Sequence, residues 1–147
     1  MAIHTERLQA IIDEKLKPVV KKVDEQAFYA EEYILALGEE GFFNSNAKSE
    51  ATILQDEATV VLETAKVCMT TAFCVWCHLA ALTYIRHSDN SYLKSNILPK
   101  LENGELLGAT GLSNPMKYYS GLEKLHLSAQ KVEGGYRING ILPAVSN

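Results

Sequence analysis

The nine glycines of this 147-residue chain are so unevenly spread that they divide it in two. Gly38 and Gly41 stand early, none occurs between residues 42 and 103, and seven of the nine fall in the last 44 residues. A glycine inside a helix costs roughly 0.5–1 kcal/mol relative to alanine, so a long glycine-free run suits packed helices and a glycine-rich tail suits turns and strands. Charge follows the same division. Residues 1–103 carry 10 basic and 15 acidic groups, net −5, whereas residues 104–147 carry 4 and 3, net +1. The expected organisation is a helical domain over 1–103 and an incomplete sheet domain over 104–147.

The front half reads as amphipathic helices. Leu8, Ile11, Ile12, Leu16, Val19, Val20 and Val23 recur at spacings of three and four behind Thr5, a residue type that caps helices. Pro18 lacks an amide donor and disfavours helical dihedrals at Lys17, which predicts a kink or break there. A second helix puts Ala30, Tyr33, Ile34 and Leu37 inside and Glu31, Glu32, Glu39 and Glu40 outside, with Gly41 as its stop. From Leu54, the positions Ala58, Val61, Ala65, Cys68, Ala72, Val75, Leu79 and Leu82 form one apolar seam, which Thr70 and Thr71 are expected to split by capping a second helix. Ser88 or Asp89 is the expected cap of a further helix carrying Leu93, Ile97, Leu98 and Leu101.

Beyond Gly104 the period changes to two. Leu125, Leu127 and Ala129 alternate with His126, Ser128 and Gln130, followed by turn signals at Gly134-Gly135 and Asn139-Gly140 around Tyr136-Arg137-Ile138. Between helices and hairpin, residues 98–115 read as a helix ending and a strand beginning, with Pro115 stopping the strand. Exposed amides and a hydroxyl at such a strand end make a candidate pocket rim. A truncated sheet would leave open edges, so self-association or disorder is expected after Gly104.

Composition narrows the function classes. Area scaling for 16.3 kDa allows about 68% of the surface to be buried, enough for a core without disulfides. A net charge of −4 with 22% charged residues argues against a disordered tail or a nucleic-acid binder. The polar opening at Met1 to Glu6 shows no export signal, and three cysteines cannot all pair within one chain, so a cytoplasmic location is expected. Residues 67–85 hold no formal charge, but Thr70, Thr71, His78 and Thr83 would need partners in hydrocarbon, and a buried bundle helix is the better reading of that run.

Cys74-Val75-Trp76-Cys77-His78 has the spacing of a c-type haem attachment, yet it lies within a long helix pattern and reads better as buried thiols. His4, His78, His87 and His126 are dispersed, and no metal site is expected. No glycine-rich phosphate loop and no nucleophile elbow occurs. Paired acids such as Glu31-Glu32 fit a solvated helix face, since adjacent helical residues do not converge on one substrate.

The ordered set of segments resembles the amino-terminal part of the acyl-CoA dehydrogenase family over nearly the whole chain. The opening helix, Leu35-Ala36-Leu37-Gly38-Glu39-Glu40-Gly41-Phe42, the Leu-Pro-x-Leu-x-x-Gly-Glu stretch at 98–105, Gly111-Leu112-Ser113-Asn114-Pro115 and Tyr136-Arg137-Ile138-Asn139-Gly140 follow that family's order and spacing. The resemblance implies a mainly α fold, an amino-terminal helical bundle followed by a few antiparallel strands of a middle β-domain. It implies FAD as cofactor, an acyl-CoA thioester as substrate, α,β-dehydrogenation in fatty acid metabolism, a homo-oligomer, and an electron-transfer acceptor for the parent enzyme.

By position, Leu112 and Ser113 would border the flavin, with Ser113 where the family usually has threonine. Ala144, Val145 and Ser146 fall where it usually has Trp-Ile-Thr against the flavin, and Ser120 matches a serine near the acyl-CoA. Met116-Lys117-Tyr118-Tyr119 stands where the family has a glycine-rich turn and is one residue longer; its Lys117, Tyr118 and Tyr119 suit either a CoA channel or an exposed loop. The family's carboxylate base belongs to its third domain, so no catalytic residue is assigned and the chain is expected to be a fragment inactive alone. A degenerate helical interaction module without catalysis is the alternative.

Overall fold

The computed structural model describes residues 5–147, so the reading of His4 lies outside the described residues. Two compact units follow one another, residues up to Gly108 together with Asn147, and Ala109–Ser146.

In the first unit, α1 (Thr5–Ile11) continues through a widened π-type turn (Ile12–Leu16) and a tight 3-10 turn (Lys17–Val19) into α2 (Val20–Gln26). The distortion is the expected consequence of Pro18. With no amide at that position, the Lys17 N–H reaches back five residues to the Ile12 carbonyl, and the helix loosens and then tightens to clear the ring. The predicted apolar face is kept: Leu8, Ile11, Ile12, Leu16 and Val23 are buried. Pro99 produces the same device. A π-type turn (Leu93–Ile97), closed by the Leu98 N–H on the Leu93 carbonyl, precedes α6 (Leu98–Glu102). Its cap is Asn90 rather than Ser88 or Asp89. The Asn90 Oδ1 accepts the Leu93 N–H (3.2 Å), while the Ser88 Oγ accepts the Asn90 N–H and shapes the turn ahead of it.

The third helix, α3 (Glu31–Glu39), buries Tyr33, Ile34 and Leu37 and ends as expected at Gly41, whose φ is +77°. The Phe42 N–H returns to the Leu37 carbonyl (2.9 Å) and the Gly41 N–H to that of Gly38 (2.9 Å), which satisfies the last carbonyls. Gly38 has a separate task. A Cβ there would lie 2.4 Å from the Gly104 nitrogen, and a Cβ at Gly104, itself at φ +81°, would lie 2.5 Å from the Leu35 carbonyl oxygen. The turn after α6 therefore packs backbone against backbone on α3.

Two long helices, α4 (Glu50–Ala65) and α5 (Met69–Arg86), replace the single seam. The split occurs where expected, but its cap is Cys68, whose Sγ accepts from the Thr71 amide (3.5 Å) and hydroxyl (3.2 Å), rather than Thr70 or Thr71. On α5 the seam holds: Cys68, Ala72, Val75, Leu79 and Leu82 are buried. On α4 it does not. Leu54 and Ala58 are exposed, Val61 and Ala65 are half-buried, and the buried stripe is Asp56, Val60 and Thr64. Partners on neighbouring elements make this possible. Lys48 pairs with Asp56 (2.8 Å), and the buried Tyr33 hydroxyl donates to the Thr64 Oγ1 (2.6 Å), which donates to the Val60 carbonyl (2.7 Å). Burial pushes the Tyr33 phenol up to about 12.

At the end of α5, Arg86 joins α4, α6 and the loop after α3. It pairs with Glu57 (2.5 Å) and Glu102 (3.3 Å) and donates to the Phe43 carbonyl (2.7 Å), while Glu102 also accepts from the Ser45 amide (3.2 Å) and hydroxyl.

In the second unit, α7 (Ser113–Tyr119) is followed by a hairpin of β1 (Leu127–Val132) and β2 (Gly135–Gly140). The strand expected to run to Pro115 is absent: extended pairing is limited to Thr110, and Pro115 sits in the first turn of α7, where its missing amide costs nothing. The hairpin register runs from Val132 opposite Gly135 to Leu127 opposite Gly140. Asn139-Gly140 is accordingly not a turn but the end of β2. Gly140, at φ +133°, is needed because a Cβ would stand 2.0 Å from the His126 carbonyl oxygen.

Gly38→Ala should destabilise the folded chain by about 1–3 kcal/mol, since its methyl meets backbone that can yield only by moving α3 and the turn after α6 apart. Urea unfolding followed by circular dichroism checks this. A change within experimental error would show that the close approach is not required.

Candidate functional site

The residues that the resemblance assigns to the flavin and substrate all lie in the second unit. Thr110 and Ser146 exchange both backbone hydrogen bonds, each N–H to the other's carbonyl at 3.1 Å, as one isolated antiparallel bridge. That bridge draws together two stretches more than thirty residues apart in sequence. Gly111 lies against the returning stretch: a Cβ there would come within 2.5 Å of the Leu142 Cδ1 and 3.9 Å of the Val145 Cγ2. Leu112 and Ser146 are half-buried, whereas Ser113, Ala144 and Val145 are exposed.

Ser120 stands apart from this bridge, at the far end of α7. Its amide donates to the Met116 carbonyl (3.1 Å), Gly121 follows at φ +72°, and the Leu122 N–H returns to the Lys117 carbonyl (2.9 Å). Ser120 is thus an exposed helix-end residue held by a glycine stop. Lys117, Tyr118 and Tyr119 are on α7 rather than on a loop. Lys117 faces Glu123 (3.5 Å), and the two tyrosine rings meet edge to face at 5.3 Å.

Asn114 is the residue that the sequence left without a role. It is buried and uses both ends of its amide: Nδ2 donates to the Glu123 carboxylate (2.9 Å) and the Lys124 carbonyl (3.0 Å), and Oδ1 accepts the His126 N–H (2.9 Å). It pins α7 to the start of β1. The Asn114 amide, with Lys117 and His126 nearby, holds the Glu123 carboxyl below the usual carboxylate range. Its position directly before a proline was the only signal, and that signal speaks of a turn rather than of burial.

In the first unit the Cys-x-x-Cys-His segment is packed inward. Cys77 and His78 are buried and Cys74 half-buried on α5, so the string is core rather than an attachment site. No group of three or more metal-ligating side chains occurs among the described residues, and no described helix is long and apolar enough to cross a membrane. His78 lies against the Phe43 ring, centroids 4.5 Å apart, and its Nδ1 accepts the Gly108 N–H (3.0 Å). Its Nε2 has no hydrogen-bond partner of ordinary geometry. Burial, with Arg86 adding to it and the Leu101 carbonyl opposing it, pushes the imidazole down to about 4.

A bundle of helices followed by a two-stranded antiparallel ribbon defines a mainly α protein. The family model described as acyl-CoA dehydrogenase, N-terminal domain, matches residues 4–105. That is well over half of the chain, and the chain belongs to the acyl-CoA dehydrogenase family. No curated protein matches it. The matched residues form the helical unit, and the stretches at 110–113 and 144–146 lie beyond them.

An imidazole that is harder to protonate folded than unfolded makes stability depend on pH in a defined direction. The unfolded chain takes up a proton near pH 6.5 and the folded chain only near 4, so stability is complete above 6.5 and is lost as pH falls between these values, by up to about 3 kcal/mol. The difference in unfolding free energy between the native chain and His78→Asn should shrink by that amount from pH 7 to pH 4. A difference independent of pH would show that His78 titrates normally.

Proposed function

We propose that the chain is the helical domain and the first part of the β-domain of a flavin-dependent acyl-CoA dehydrogenase-like oxidoreductase, passing from one to the other beyond residue 103. The observation that carries the reading is the Thr110–Ser146 bridge, which sets side by side the two stretches that correspond to flavin-bordering segments. The residues present fit such a group. The exposed Ser113 and Val145, with the Ala144 backbone, offer a hydroxyl, an apolar side chain and peptide groups within four residues of a bridge beside which Gly111 lets the two stretches approach closely.

In this reading Leu112 and Val145 cover the apolar part of an isoalloxazine, and Ser113 and Ser146 supply hydroxyl hydrogen bonds to its polar edge. Ala144 leaves open the space that a larger ring would fill. FAD, when bound, would accept a hydride from the β-carbon of an acyl-CoA thioester while a carboxylate takes the α-proton. Ser120 would lie toward the thioester. The carboxylate belongs to a third domain that these 147 residues do not contain. A cytoplasmic, homo-oligomeric parent passing electrons to a separate acceptor completes the proposal.

A second reading has its own support. Met69, Phe73, Trp76 and Tyr84 recur along α5 at near-heptad spacing and are all exposed, as are Leu54 and Leu62 on α4. An apolar stripe of this kind suits packing against further protein, and a helical interaction module would show it equally.

The chain supplied with FAD and an acyl-CoA should leave the flavin's visible absorbance unbleached, whereas flavin fluorescence should report saturable binding that Ser113→Ala weakens severalfold, the usual worth of one hydrogen bond. Acyl-CoA oxidation by these residues alone would overturn the division of labour proposed here. An absence of any flavin binding would favour the interaction module.

A further inference from the structure

The chain leaves the helical unit at Gly108 and rejoins it at Asn147, and the Gly108 residue is held from both sides. Its N–H donates to the His78 Nδ1 (3.0 Å) and its carbonyl accepts from the Asn147 Nδ2 (2.7 Å). The Asn147 Oδ1 in turn accepts the Tyr29 hydroxyl (2.7 Å). Gly108 presses directly on α5: a Cβ there would stand 2.5 Å from the Ala81 Cβ. Asn147 adopts φ +93°, a left-handed conformation open to asparagine more readily than to most side chains. Two residues beyond Gly108 and one before Asn147, Thr110 and Ser146 close their two-bond bridge.

We propose that Tyr29, His78 and Asn147 are positioning residues that clamp the exit and the return of the chain at Gly108, and so keep Thr110 paired with Ser146. What the paired edge is for rests on the flavin reading; the clamp itself does not. Three features that are otherwise unexplained converge on Gly108. The buried imidazole makes its hydrogen bond of ordinary geometry through Nδ1, to the Gly108 N–H. That nitrogen, Nδ1, must be unprotonated to accept an N–H, and burial beside the Phe43 ring, with the Arg86 guanidinium adding to it against the opposing Leu101 carbonyl, keeps it so at neutral pH. A residue without a side chain lets the backbone reach α5, and a left-handed asparagine turns its amide onto the carbonyl. Tyr29 touches Gly108 only through Asn147, so its effect must vanish when Asn147 is absent.

The test is amide hydrogen exchange read by NMR at Gly108, Thr110 and Ser146. Asn147→Ala and Tyr29→Phe remove groups that are not part of the core, so the unfolding midpoint should stay close to the native value. Exchange at the three amides should rise roughly fivefold in Asn147→Ala, the worth of one ordinary hydrogen bond. The double variant should exchange no faster than Asn147→Ala alone. His78→Leu should raise exchange at Gly108 as well, and His78→Asn, which restores an acceptor, should bring it back. Unchanged exchange in Asn147→Ala, or fully additive effects of the two surface substitutions, overturns the clamp. Flavin binding separates the two proposals. If Asn147→Ala weakens FAD binding along with raising exchange, both stand; if the native chain binds no FAD while exchange still rises, the flavin reading fails and the clamp remains.

Discussion

Arg86 carries a charge that the helical unit has taken largely out of water, and its two terminal nitrogens gather three other segments at the end of α5. Only about an eighth of its side chain is exposed, and the same is true of Glu57, with Glu102 covered further. Two carboxylates and the Phe43 carbonyl surround the guanidinium, so α4, α6 and the loop after α3 must all come to the end of α5. Replacing such a cluster by apolar side chains is often neutral, whereas removing one member strands the rest, at a cost of about 3–5 kcal/mol. Its members come from α4, α5, α6 and the loop after α3, so the cluster ties those helix ends together. Glycine then sets how closely they meet. Gly38 and Gly104 bring α3 and the turn after α6 into backbone contact, a distance that no side chain allows.

What was legible in the sequence was what a single element dictates for itself. The faces of α1 and α3, the Gly41 stop, the break at Pro18 and the hairpin around Gly134 all follow from local period and local dihedral restriction. Failures came where a partner from elsewhere reversed a local preference. The seam through Leu54, Ala58, Val61 and Ala65 gives the polar Asp56 and Thr64 no part in the buried face, yet Lys48 and Tyr33, eight and thirty-one residues away, make their burial tolerable. Hydrophobicity alone then misassigns the face of α4 and leaves Leu54 in solvent. Capping failed for a related reason: Cys68 and Asn90 compete with adjacent residues of similar ability, and only the path of the chain decides between them. Pro115 was read as a stop although a proline suits a first helical turn equally well.

The site was legible in a different sense. Leu112, Ser113, Ala144, Val145 and Ser146 were named from resemblance, and period and spacing gave no hint that two stretches so far apart would meet at the Thr110–Ser146 bridge. Ser120 was named in the same way and lies apart from the bridge, at the end of α7. The role of Asn114, which organises α7 and β1 through both ends of its amide, and the contact by which His78, named only within the Cys-x-x-Cys-His string and among dispersed histidines, holds Gly108 are not legible in sequence, because their partners are distant or are backbone groups. Backbone partners leave no trace in side-chain pattern.

The central claim is that 110–113 and 144–146 form one flavin-facing edge. It is tested most directly by following every backbone amide of the chain while FAD is added, using chemical-shift perturbation with flavin mononucleotide and free adenosine as comparisons. The account predicts that shifts cluster at Thr110, Gly111, Leu112, Ser113, Ala144, Val145 and Ser146 and are reproduced by the mononucleotide rather than by adenosine. Perturbations confined to α1 through α5, or none along the edge at saturating flavin, would contradict it.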